Sequence, residues 1–128
     1  MDIKPYMNDL IKTYQSKNYE KVMIICEEIL KSYKDIPEVY NLYGLALQNL
    51  NRHEQAINYF KKAISLQPKD YSAFNNLAIS YKSLYMNKLA YENFNKCLEL
   101  KNNYFPALIN FANLKKDLNE YKDAIDLY

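Results

Sequence analysis

The chain has 128 residues, of which 49% are hydrophobic and 25% are charged, a balance that is typical of a folded domain and excludes a disordered segment. One Gly and four Pro argue against an all-β or loop-rich fold. Seventeen basic and fifteen acidic residues leave a formal charge of +2, so neither nucleic acid nor an anionic membrane is indicated as a partner. Because no apolar run is suited to export or to spanning a bilayer, the sequence predicts a cytoplasmic protein without membrane contact.

Residues able to carry catalysis or hold a metal are scarce. Cys26 and Cys97 have no metal-ligand spacing and fall on helix faces that we expect to be buried, where a free Cys acts as a small hydrophobic residue. His53, the only histidine, shares its row with Tyr19 and Tyr121 and is interpreted as a packing residue. Carboxylates such as Asp117 are expected on solvated helix faces. The sequence predicts no enzyme, no metal and no cofactor.

The strongest pattern is a repeat with a period of 34 residues. Ala56, Ala90 and Ala124 are separated by this step. Other rows that keep it are Phe60, Phe94 and Tyr128; Leu50, Leu84 and Leu118; Tyr43, Leu77 and Phe111; and Gly44, Ala78 and Ala112. A period of this length predicts small units that stack, because no unit alone can bury its apolar face.

Repeat 1, approximately residues 3–36, follows the period incompletely. Its second helix aligns through Val22, Cys26 and Ile29. Its first helix fits better when one residue is deleted from the turn. That deletion would place four residues in buried rows: Met7, Leu10, Ile11 and Tyr14. We therefore expect a degenerate helix pair at this end of the array.

Repeat 2, residues 37–70, shows the helical pattern most clearly. Apolar residues at i, i+3, i+4 and i+7 between Tyr40 and Leu47 predict one helix, and those between Ala56 and Ile64 predict a second. Small residues in the rows of Gly44 and Ala56 would allow the paired helices to approach closely. Each repeat is therefore predicted to be an antiparallel helix pair.

Turns and caps are expected at fixed places in each repeat. Asn51 and Asn119 fall between paired helices, where Asn tolerates the left-handed conformation that such turns need. Tyr85 occupies the same place in repeat 3, residues 71–104, so we expect an irregular turn there. Pro68 marks a helix end, and Asp70 is placed to cap the next helix.

Repeat 4, residues 105–128, is truncated part-way through its expected second helix. Lys115 stands in the row of Leu47 and Tyr81, so less complete burial is expected there. The sequence ends on apolar residues that nothing covers, and a possible self-association edge is formed by Ile125, Leu127 and Tyr128. Two readings stay open: the chain is part of a longer protein, or a second copy covers this edge.

These rows resemble the tetratricopeptide repeat (TPR) family. Repeat 2 matches the family's large, small and aromatic positions through Tyr40, Tyr43, Gly44, Leu47, Ala56, Phe60, Ala63 and Pro68. The resemblance implies an all-α fold, a right-handed α-solenoid of stacked antiparallel helix pairs. It also implies a single domain over residues 1–128 with about 3.7 repeats.

The resemblance further implies that the first helices line a concave groove for a peptide or helix of a partner protein. The groove residues are expected to be Asn41, Leu42, Leu45, Gln48, Asn75, Asn76, Ile79, Lys82, Ile109, Asn110, Asn113 and Lys116. An Asn side chain donates and accepts hydrogen bonds, and so suits a peptide backbone. Asn76 and Asn110 match the asparagine ladder of O-linked N-acetylglucosamine transferases, although Leu42 interrupts it. Replacing both by Ala is expected to weaken peptide binding with little effect on stability.

A second kind of peptide site in the family clamps a terminal carboxylate with Lys and Arg. Among the matching positions here, only Lys12 is basic, so no clamp of that kind is expected. The leading hypothesis is a non-catalytic protein-interaction module. The alternatives are an N-terminal substrate-docking arm of a larger enzyme such as a glycosyltransferase, and a scaffold that forms homo-oligomers through the C-terminal edge.

Overall fold

The computed structural model describes the backbone of residues 2–126 and the side chains of residues 2–120. Over this range the chain forms seven α-helices and no strand, which confirms the all-α repeat prediction. The helices are α1 (Lys4–Gln15), α2 (Tyr19–Leu30), α3 (Pro37–Asn49), α4 (His53–Leu66), α5 (Tyr71–Ser83), α6 (Asn87–Leu100) and α7 (Phe105–Asp126). They divide into two compact units, an N-terminal unit that ends at Lys69 and a C-terminal unit that begins at Asp70.

The N-terminal unit contains two antiparallel helix pairs. Helix α1 packs on α2, α2 on α3 and α3 on α4. Two polar contacts join the pairs through α2 and α3. The Tyr43 hydroxyl donates a hydrogen bond of 2.6 Å to Glu27 Oε1, and the Cys26 thiol lies 3.6 Å from the Val39 carbonyl oxygen, to which it donates. The second pair thus packs on the first through buried apolar residues and these bonds.

Close approach of α3 and α4 depends on Gly44. A Cβ atom added there would lie 2.6 Å from Cε1 of Phe60, well inside van der Waals contact. Phe60 is fully buried, as are Ala56 and Ala63 on the same helix. Gly44 and the Phe60 ring opposite it therefore fill the space between α3 and α4 together, without a void.

The C-terminal unit repeats this packing one period later and adds α7. Helix α5 packs on α6, and α7 contacts both. Phe94, fully buried, stacks on Phe111 of α7 with ring centroids 5.9 Å apart. Asp70 caps α5 as expected, because its Oδ1 accepts a hydrogen bond from the Ala73 backbone N–H.

The three turns within helix pairs share one geometry. Lys17, Asn51 and Tyr85 have φ values of 63°, 62° and 60°, each at the exact repeat step. After Tyr85, the Met86 N–H donates to the Tyr81 carbonyl, a bond that closes the end of α5 as in a Schellman motif. The expectation of an irregular turn at Tyr85 is therefore wrong. Helix packing and these bonds outweigh the cost of placing a Tyr in the left-handed region, about 1–2 kcal/mol.

We predict that Tyr85→Asn stabilises the protein by about 0.5–1 kcal/mol, because Asn tolerates a positive φ better than Tyr does. The Tyr85 side chain is 86% exposed, so little packing is lost. Urea unfolding followed by circular dichroism measures the change. Lys17→Asn, at the same φ, is the matched variant and should stabilise as well. A loss of stability in both variants would contradict this account of the turns.

Helix α1 keeps the exact period, so the one-residue deletion expected in repeat 1 is wrong. Of the four residues predicted to be buried there, only Leu10 is, and Ile11 is 43% exposed. Thr13 is buried instead, in the row of Leu47. Its hydroxyl donates a hydrogen bond of 2.7 Å to the Asp9 carbonyl one turn earlier. That bond satisfies the polar group and makes a buried Thr acceptable.

Helix α7 does not follow the expected helix–turn–helix pattern of repeat 4. It is continuous from Phe105 to Asp126, so the turn predicted at Asn119 is wrong. Residues 115–126 contain neither Gly nor Pro, and nothing local interrupts the helix. Lys115 is exposed, as expected, with its Nζ 4.1 Å from the centroid of the Phe111 ring. Ile125, Leu127 and Tyr128, the predicted self-association edge, lie outside the residues whose side chains are described.

Candidate functional site

In the N-terminal unit, the predicted groove residues share one face of α3. Asn41, Leu42, Leu45 and Gln48 are all half-buried. Asn41, Leu45 and Gln48 are separated by four and three residues and so lie side by side along the helix, and Leu42 lies next to Leu45, three residues before it. The next amide, Asn49, is exposed and donates a hydrogen bond of 2.8 Å to the Leu45 carbonyl. This face therefore combines amide groups with aliphatic side chains that are partly accessible.

In the C-terminal unit, the predicted residues lie on α5 and α7 but differ in access. Asn76, Ile79, Lys82 and Asn110 are half-buried, and Ile109, Asn113 and Lys116 are exposed. Asn75 is only 3% exposed, so it does not face an open groove as expected. Its Oδ1 accepts a hydrogen bond of 3.4 Å from Nδ2 of Asn110, and the pair ties α5 to α7.

An open pocket lies between these two helices and includes three of the predicted residues. Ile79, Lys82 and Asn110 line it together with Ser83, Tyr85, Phe94 and Asp117. Lys82 Nζ lies 3.6 Å from Asp117 Oδ2, and the two side chains are 32% and 60% exposed. An ion pair this exposed is worth about 0–1 kcal/mol, so it contributes little to the stability of the fold.

Sequence reasoning missed Asp117 and Tyr85 as pocket residues. Spacing is a signal for Asp117. Polar residues that contact each other from the first helices of successive repeats are 35 residues apart, one residue more than the period. Asn75 with Asn110 and Lys82 with Asp117 follow this rule. In the N-terminal unit, the hydrogen-bonded side chains of Tyr14 and Asn49 follow it as well.

Helix α1 also changes the positions at which a carboxylate clamp would fall. Because α1 keeps the exact period, the clamp positions on it are Met7 and Ile11, and Lys12 is not one of them. Neither clamp position on α1 is therefore occupied by a basic residue.

The remaining reactive groups lie in packing positions. Both cysteines are fully buried, and burial raises the pKa of the Cys26 thiol to about 12 and that of Cys97 to about 11. They are therefore neutral thiols at physiological pH. His53 is half-buried, its Nε2 lies 2.9 Å from Asn51 Oδ1, and burial lowers its pKa. Among the described residues, no group of three or more His, Cys, Asp and Glu could hold a metal.

Among residues 2–126, no helix combines the length and the apolar composition that a bilayer span requires.

Sequence comparisons point to repeat proteins. The chain is 28% identical over 115 residues to a UDP-N-acetylglucosamine–peptide N-acetylglucosaminyltransferase of Giardia intestinalis, a match that covers 87% of this chain and 8% of that protein. It is 34% identical over 55 residues to the TPR repeat-containing protein MJ1345 of Methanocaldococcus jannaschii, covering 43% of this chain and 17% of that protein. The chain thus spans less than a fifth of the length of these curated relatives.

The fold and a family match agree on the kind of repeat. The first TPR of Spaghetti (RPAP3), solved bound to the HSP90 peptide SRMEEVD, superposes with a TM-score of 0.86 over 93% of this chain and 97% of that chain, at 16% identity. The sequence model of the tetratricopeptide repeat matches residues 37–70, the bounds predicted for repeat 2. Residues 37–70 are therefore a tetratricopeptide repeat, and the fold of the chain is that of TPR domains.

Proposed function

We propose that this chain is a non-catalytic protein-interaction module that binds a peptide along the surface between α5 and α7. The observation that carries the proposal is the open pocket there, in which amide and aliphatic groups are accessible together. A TPR domain of the same fold has been solved with a bound peptide, which supports this class of ligand. The half-buried face of α3 is proposed to contact a partner in the same manner within its own unit.

The chemistry suits an extended peptide. Asn76 and Asn113 present amide groups that donate to peptide carbonyls and accept from peptide N–H groups. Ile79 and Ile109 offer apolar area between them. Because Asn110 already donates to Asn75, part of its hydrogen-bonding capacity is used inside the protein. Asn110→Ala would leave the buried Asn75 oxygen without that bond, at a cost of about 1–3 kcal/mol, so the variant is not neutral for stability.

The test is a phage-displayed library of random heptapeptides selected on the protein, followed by titration of the selected peptides. We expect Asn76→Ala with Asn113→Ala to weaken binding about tenfold, since each lost hydrogen bond is worth about 0.5–1.5 kcal/mol. Asn95→Ala on α6 is the matched control, because this exposed amide pairs with Glu99 on the same helix. Equal affinity for the double variant and the control would overturn the proposed surface.

A second candidate function is substrate docking for a larger enzyme. The match to a peptide N-acetylglucosaminyltransferase over most of this chain favours it, because the chain corresponds to a small part of that protein. The intact mass of the protein in its source cell is the test. A mass far above 15.3 kDa supports a docking arm, and a mass of 15.3 kDa contradicts it.

Self-association is a further proposal for α7. Phe105 and Leu108 on this helix are 72% and 39% exposed, so α7 presents apolar side chains to a second copy. Light scattering across a concentration series tests it. A constant monomer mass at high concentration would exclude a homo-oligomer.

Nucleic acid is not proposed as a partner, because the net charge of the chain is only +2.

A further inference from the structure

The pocket between α5 and α7 holds one positive and one negative side chain close together. Lys82 Nζ and Asp117 Oδ2 are 3.6 Å apart, and both side chains remain accessible from the pocket. The pair is loose for an ion pair and contributes little to stability, so both charges are available to a ligand. This is a different arrangement from a carboxylate clamp, which would present positive groups only.

We propose that this pocket, named the Lys82–Asp117 pocket, takes the carboxamide side chain of an asparagine or glutamine of the bound peptide. The inference rests on the proposed function and specifies one residue of its ligand. A carboxamide carries an acceptor and a donor side by side, so its oxygen accepts from Lys82 while its NH₂ group donates to Asp117. Both bonds are charge-assisted, and such bonds are about twice as strong as neutral ones.

Charged side chains fit this pocket less well. An arginine or lysine would pair with Asp117 and come close to the Lys82 ammonium. A glutamate or aspartate would pair with Lys82 and come close to the Asp117 carboxylate. In either case like charges are brought together, and one member of the original pair loses its partner. A neutral group with both a donor and an acceptor keeps both charges satisfied.

The walls of the pocket favour the same occupant. Asn110 is held in place by its hydrogen bond to the buried Asn75, so its amide is a fixed polar element of the wall. Ile79 offers an apolar surface for the methylene groups of the incoming side chain. Tyr85, at the positive-φ turn, is 86% exposed at this pocket and offers an aromatic ring against which a planar amide can stack.

The experiment uses a positional-scanning library of heptapeptides, built on a sequence selected by the full chain, in which each position is fixed in turn as each amino acid. We expect wild-type protein to bind peptides with Gln or Asn at one position about fivefold to tenfold more tightly than those with Arg, Glu or Ala there. Lys82→Met leaves Asp117 alone and should move the preference at that position to Arg and Lys. Asp117→Asn leaves Lys82 alone and should move it to Glu and Asp.

Controls come from a second exposed ion pair of similar geometry. Lys96 and Glu99 on α6 are 3.9 Å apart and 51% and 59% exposed, so Lys96→Met and Glu99→Gln should leave every preference unchanged. Circular dichroism of all four variants checks that each remains folded. Opposite shifts in the Lys82 and Asp117 variants alone support the inference.

Two other outcomes overturn it in distinguishable ways. If peptides bind but the preference at every position is the same in all variants, the carboxamide pocket is wrong and the proposed peptide binding stands. If no peptide binds the wild-type protein, both the pocket and the proposed function fail.

Discussion

Gly44→Ala is expected to destabilise the N-terminal unit by about 1–3 kcal/mol. The added Cβ would lie 2.6–2.9 Å from three atoms of the Phe60 ring, and Phe60 is fully buried on α4. The pair α3 and α4 must therefore move apart or the ring must leave its rotamer, and either change loses packing. Urea unfolding followed by circular dichroism measures the loss.

A double variant tests the cause of that loss. Phe60→Leu removes ring atoms that the new methyl group would meet, so Gly44→Ala should cost much less in its presence than alone. The C-terminal unit accommodates a methyl group at the corresponding position, because Ala78 on α5 lies one repeat after Gly44. Strictly additive effects of the two substitutions would contradict a clash between residues 44 and 60.

Phe94→Ala is expected to lower the free energy of unfolding by about 3–5 kcal/mol, more than Gly44→Ala does. Phe94 is fully buried on α6 and stacks on Phe111 of α7 with centroids 5.9 Å apart, so the cavity would lie where all three helices of the C-terminal unit meet. Stability measured by urea unfolding should fall to the point where this unit is partly unfolded in water.

Tyr91→Ala is the matched control for Phe94→Ala. Tyr91 lies on the same helix and also contacts Phe111, with ring centroids 4.7 Å apart, but its side chain is 42% exposed. Its loss should cost less than that of Phe94, because it removes a smaller buried area together with a ring–ring contact worth about 0.5–1.5 kcal/mol. Equal losses in the two variants would show that burial of Phe94 is not what holds α7 in place.

Both the conformational preference of the local residue and the packing of the flanking helices decide where the chain reverses direction. Asn119 favours a turn and Tyr85 does not, yet the chain turns at Tyr85 and continues as a helix through Asn119. At Tyr85, α6 packs along α5, and the burial of its apolar face outweighs the cost of a positive φ. A favourable turn residue permits a reversal, but only a second helix with an apolar face makes the reversal stable.

The candidate site was predictable in part from the repeat. The helical rows placed Ile79, Lys82 and Asn110 near one another, and the structure brings them to one pocket. Asn75 was assigned to the same groove because it shares the helix face, but it lies behind Asn110 and is buried. Periodicity gives the direction of a side chain on its own helix, whereas access depends on what the next helix places in front of it.

The amino-acid sequence by itself determined the repeat period, the all-α class and the burial of the small and aromatic rows in repeats 2 and 3. These follow from spacing along the chain, which is local information. The tertiary structure decided the exact register of α1, the length of α7 and the pairing of Lys82 with Asp117. The register of α1 depends on its packing against α2, in which Thr13 is buried, and two charges 35 residues apart meet only when α5 and α7 pack together.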